Sequence, residues 1–175
     1  MSNLSPVASS LLAGWLLFGA TSSASAQVGA SDPRARAREL VGQAEQAKSA
    51  RDAEQSEKLL EQAIRLANLP EITLQLGKLA EQEGRTTQAA DLYRRYLDEM
   101  GDAVDAATRS RLSSFLQTLH DPVAEVDVLG PSGSLLYVDD HLVGVLPLSS
   151  PMLLSPTSHR FRVVVKNSAF RSDPL

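Results

Sequence analysis

The 175-residue chain contains no cysteine, which excludes disulfides, thiolate metal ligands, a cysteine nucleophile and a lipid anchor attached through a cysteine. Aromatic residues make up 5% of it and its one tryptophan is Trp15, so a stacking platform for sugars or bases has little to be built from. Charge of neither sign dominates. Seventeen Lys and Arg face 21 Asp and Glu for a net charge of −4, and both signs are mixed along the chain. That pattern lacks the basic footprint of a nucleic-acid binder and the polybasic patch that anionic lipid attracts. No apolar run reaches the roughly 20 residues that span a bilayer. There is no Gly-x-Ser-x-Gly nucleophile elbow, and the glycines are too isolated to form a phosphate loop.

What is present begins with an uncharged stretch over residues 1–31. Within it, residues 11–20 (LLAGWLLFGA) are mostly apolar, and Ala24, Ser25 and Ala26 follow in the small-x-small pattern that a signal peptidase accepts. These features predict a signal peptide over residues 1–26, cleaved after Ala26, and a periplasmic or cell-surface location. Only the amino terminus supplies positive charge ahead of the apolar run, so retention of the leader as a membrane anchor is the alternative.

From Asp32 to His120 the chain is rich in Ala, Glu, Gln, Arg and Leu, with apolar residues spaced by three and four. Five helices are predicted, over residues 32–50, 52–67, 71–83, 87–100 and 103–119. Asp32 before Pro33 makes an N-cap and first turn, Asp52 with Gln55 suits a capping box, and Gly84 and Gly101 provide C-terminal stops. Brief turns between short helices predict antiparallel hairpins. The hairpins carry an internal period: Ala44, Ser56, Leu60 and Ala63 recur 33 positions on as Gly77, Ala89, Tyr93 and Tyr96.

In the second unit, Leu76, Gly77, Ala80, Gly84, Ala89 and Tyr93 fall in the Leu-Gly, small-residue, turn, Ala and aromatic places of the tetratricopeptide repeat, which this region resembles. The alternative is a generic pair of helical hairpins. Such repeats bury their apolar faces on neighbours, so Phe115, Leu116 and Leu119 of the fifth helix are expected to cap the array. The resemblance implies that the inner surface of the first helix in each unit takes an extended peptide. It nominates Arg38, Val41, Glu45, Lys48, Leu74, Lys78, Glu81 and Gln82, against the alternative of an ordinary solvated face of mixed ion pairs.

After Asp121 and Pro122 the apolar period becomes two, with turn chemistry at residues 130–133 and short strands bounded by Gly, Pro and Ser. Asp139, Asp140 and His141 sit in a row there, types that serve acid/base or metal chemistry. As a hairpin tip they need no chemistry, because aspartate tolerates left-handed backbone and bonds it locally. Neighbouring strand residues also point to opposite faces, which works against a dyad. The segment over residues 123–170 resembles the PEGA domain, a small β-module of bacterial surface proteins. Pro131-Ser132-Gly133-Ser134, Leu136-Tyr137-Val138-Asp139-Asp140, Gly144-Val145-Leu146-Pro147-Leu148, Pro156-Thr157-Ser158-His159 and Ala169-Phe170 meet its pattern, with Asp140 in place of the usual turn glycine.

The expected architecture is therefore α+β in separate domains: a signal peptide (1–26), a tetratricopeptide-like helical-hairpin array (32–120) and a small antiparallel β-sandwich-like module (123–170) resting on the fifth helix. The resemblances imply a non-catalytic scaffolding protein of the bacterial cell envelope that binds protein or peptide partners through the helices. No cofactor, metal or nucleic acid is expected, and a membrane only if the leader is retained. The alternative function is attachment to peptidoglycan or surface polysaccharide through the β-module, and a metal-dependent enzyme is the third reading.

Overall fold

The computed structural model describes residues 32–119 and 123–165. The expected leader, the Asp121-Pro122 junction, and Ala169 and Phe170 lie outside the described residues. Among the described residues, no helix is long and apolar enough to cross a membrane. Over the described residues the protein is mixed α and β, with five α-helices followed by five short strands.

Helix α1 (Pro33–Ser49) opens on Asp32, whose carboxylate accepts the Arg34 N–H at 3.0 Å. Helix α2 (Ala53–Leu66) opens on Asp52, which accepts the Gln55 N–H at 3.0 Å. Each cap satisfies a donor that the first helical turn leaves free. Helix α3 (Pro70–Gln82) starts on Pro70 itself, where a missing N–H costs nothing, and Gly84 follows its end at φ +74°. Gly101 closes α4 (Thr86–Met100) at φ +47°. A 3-10 turn, Gly101–Ala103, then delays α5 (Ala106–Gln117) beyond its expected start, because Asp105 supplies the cap by accepting the Thr108 N–H at 2.9 Å.

Helix α1 packs along α2, and α3 along α4. The residues that recur 33 positions apart are the ones at these crossings. Ser56 is fully buried and its hydroxyl donates to the Ala44 carbonyl at 2.9 Å, tying α2 to α1. In the second pair Ala89 is fully buried, and a Cβ at Gly77 would stand 2.6 Å from the Tyr93 ring. Helix α5 covers the open side of α4 with fully buried Leu112 and with Phe115, which meets Tyr93 edge-on at 5.2 Å between ring centroids.

The strands are β1 (Ala124–Val126), β2 (Leu135–Val138), β3 (His141–Val145), β4 (Met152–Leu154) and β5 (Phe161–Val164). They form an antiparallel β3-β2-β5 sheet and an antiparallel β1-β4 pair. Strand β2 is buried on both faces. Leu135 and Tyr137, with Leu142 of β3, join the core of the helices. Leu136 and Val138, with Val143, Leu146, Met152 and Leu154, build a second core that Val126, Val128 and Leu148 cover.

Helices and strands thus belong to one compact unit and share a core; the division expected at residues 120–122 is one of secondary structure and not of packing. The strands dock on α2, α3 and α4 rather than on α5 as the sequence suggests. The physical reason lies in side chains of α2 and α4 that reach main-chain groups of the strands. Glu57 accepts the Leu142 N–H at 2.7 Å, Asp91 accepts the Leu153 N–H at 2.8 Å, and Arg95 donates to the Val143 carbonyl at 3.1 Å. Asp91 and Arg95 pair at 2.7 Å, one turn apart and both buried.

Candidate functional site

A second surface, formed by α1, α3 and Arg111 from the middle of α5, gathers most of the nominated residues. Lys78 pairs with Glu45 at 3.7 Å, the Lys48 ammonium donates to Gln75 at 3.4 Å, and the Gln82 amide donates to the Lys48 carbonyl at 3.4 Å. Glu81 accepts from the Tyr93 hydroxyl and pairs with Arg111 of α5 at 2.8 Å. Arg38 stands apart from this group, facing Glu71 at 3.7 Å. Val41 and Leu74 are half-buried and pack against the core, so they support the face more than they present it.

Two members of the face are not among the nominated residues. Gln75 is nearly buried and receives Lys48, and Arg111 arrives from α5. Arg111 is legible in principle: α5 follows α4 as the next helix in the array, so its turns extend the same surface. Gln75 carries no such signal, since glutamine in a helix reads as a solvated residue.

Electrostatically, the face sets Lys48, Lys78 and Arg111 among Glu45 and Glu81. Burial pulls the Lys48 ammonium below the usual lysine range, Lys78 adds to that depression, and Glu45 opposes it. Burial also pushes the Tyr93 hydroxyl well above its usual range, reinforced by its bond to Glu81, so it stays a neutral donor. A carboxylate set between Lys48, Lys78 and Arg111 would relieve repulsion that Glu45 and Glu81 only partly offset.

The acidic turn resolves differently. Asp139 and Asp140 have φ of +51° and +67°, the two consecutive left-handed residues that a tight two-residue hairpin requires, while His141 already belongs to β3. Because β5 pairs beside β2, the residues before β5 meet this turn. Asp139 Oδ1 accepts the Arg160 N–H at 2.9 Å, and Asp139 Oδ2 lies 2.7 Å from His159 Nδ1. His159 Nε2 in turn lies 3.1 Å from the Ser155 hydroxyl, which lines up a serine, a histidine and an aspartate.

These bonds also clamp the segment before β5 to the hairpin turn. Nε2 is also 3.0 Å from the Ser155 main-chain carbonyl, which can only accept, while Nδ1 faces a carboxylate. When the ring is protonated both nitrogens donate, to Asp139 and to the Ser155 carbonyl, and it then has no lone pair with which to take a proton from Ser155. The Asp139 bond raises the His159 pKa, and the Arg160 N–H, followed by His159, lowers that of Asp139. His141 is held elsewhere, its Nδ1 3.3 Å from Glu57. Among the described residues, no three His, Asp or Glu side chains come together as a metal-binding group.

Comparison with known proteins yields no match: no family model fits the chain, and no curated protein or solved structure proves similar to it.

Proposed function

We propose that the protein is an exported, non-catalytic scaffolding protein of the bacterial cell envelope, and that the α1/α3 face with Arg111 is where a protein or peptide partner binds. In this reading the hairpins α1/α2 and α3/α4 are tetratricopeptide-like units, and the strands are a PEGA-like, sandwich-like module. The observation that carries it is the division of the two helical sides. The strands dock on α2, α4 and part of α3, while the other surface of α1 and α3 keeps Lys48, Lys78, Glu45, Glu81 and Gln82 gathered where no described strand packs.

The partially desolvated cations favour a partner segment that brings a carboxylate to Lys48 and Lys78. The test is chemical crosslinking of the full chain to envelope fractions, repeated with Lys48→Glu/Lys78→Glu and with Lys58→Glu, a control on an exposed α2 position. The expected result is a partner lost with the double variant and kept with the control. A partner indifferent to both variants, or stoichiometric zinc in the purified chain, overturns the reading. Charge reversal suits this test better than truncation, since removing the strands would expose the shared core.

A further inference from the structure

The two edges of the β3-β2-β5 sheet are treated in opposite ways. On β3 the outward main chain is occupied by helix side chains, Glu57 taking the Leu142 N–H and Arg95 the Val143 carbonyl. On β5 the outward edge pairs with no strand among the described residues, while Val164 packs back against the helical core. Its side chains sort by face. Phe161, Val163 and Val165 lie on one face and are 44%, 39% and 58% exposed, although the first two pair with Val138 and Leu136 of the buried second core. On the other face Arg162 stacks over the Tyr137 ring at 3.8 Å, and Arg160, 78% exposed at its side chain, reaches toward Asp140 at 3.3 Å. An apolar core thus runs out to an open strand edge flanked by cations.

We infer that β5 is a strand-addition site for an extended segment in which apolar residues alternate with acidic ones. An added strand would satisfy the outward main-chain groups of β5, cover Phe161, Val163 and Val165 with its apolar positions, and set its carboxylates beside Arg160 and Arg162. Arg162 does not block the approach, because its guanidinium is drawn back over the Tyr137 ring of the neighbouring strand.

Charge argues against a second copy of this chain as the occupant. In an antiparallel self-pairing that matches the apolar faces, centring on residue 161, 162, 163 or 164 sets Arg160 against Arg162, Arg162 against itself, Arg160 against Lys166 or Arg162 against Lys166. Like charges directly opposite are unfavourable. The site is distinct from the α1/α3 face and does not depend on it.

The test uses the full chain and two synthetic peptides, acetyl-Glu-Val-Glu-Phe-Glu-Val-Glu-amide and its counterpart with Lys at every Glu. Binding is followed by amide-proton exchange at residues 161–165. The acidic peptide is expected to slow exchange along β5 and to bind about tenfold tighter than the basic one, although the chain's own net charge is −4. Arg160→Glu, which leaves the Tyr137 stack in place, should narrow or reverse that preference. Equal binding of both peptides, binding of neither, or a preference untouched by Arg160→Glu overturns the inference. So does protection of the β5 edge before peptide is added: at all concentrations it assigns the edge to residues 166–175, and only at high concentration to a second copy.

Discussion

At the scale of single residues, three positions hold the arrangement with little latitude. A methyl group at Gly77 would meet the Tyr93 ring, which is fully buried and held at its hydroxyl by Glu81, so the ring cannot swing aside. Gly77→Ala is expected to destabilise by about 1–3 kcal/mol, the usual range for overpacking, measured by urea denaturation. The Asp139–His159 contact predicts a pH window. The stabilising effect of Asp139, whose pKa is depressed, is present above the ordinary aspartate range and lost as pH falls through its folded value. That of His159, whose pKa is raised, is fully present below the ordinary histidine value and lost as pH rises through its folded value. Both hold together between about pH 4 and 6.5, where His159→Gln should lower the melting temperature most; the difference should shrink at pH 8. The turn itself was legible as Asp-Asp chemistry, but its contact with His159 was not. That contact follows from β5 lying beside β2, and strand order leaves no mark on local pattern.

At the scale of elements, periodicity and caps located the helices closely, because Asp32, Asp52, Gly84 and Gly101 act through their immediate neighbours. Docking was not legible. Asp91 and Arg95 stand four apart on α4 and read as a solvated ion pair, yet both are buried and each also bonds the main chain of a strand. Asp91→Ala leaves a buried guanidinium without its carboxylate and should cost about 3–5 kcal/mol in chemical denaturation. Replacing both residues by Leu should cost less than twice that, since neither charge is then left stranded, although the Leu153 and Val143 main-chain groups lose their partners. In the turn, Asp140→Gly should be neutral or stabilising by under about 1 kcal/mol, because glycine suits a φ of +67° and the Arg160 pair it removes is exposed.

At the scale of the molecule, the core that helices and strands share predicts a single unfolding transition. Far-UV ellipticity, dominated by the helices, and near-UV ellipticity from Tyr93 in the helices and Tyr137 in β2 should change with one midpoint. Two separated midpoints would mean that the strands detach before the helices melt. The order of α and β regions could be read from composition and period; their union could not, because Leu135-Leu136-Tyr137-Val138 announces an apolar strand without saying that two different layers claim its faces. That double claim sets where the chain tolerates change. In a saturation library, residues 135–138 should form the most depleted window of the strand region, since no position there offers a side open to water and a misfit on either side propagates to the other through four residues of shared backbone.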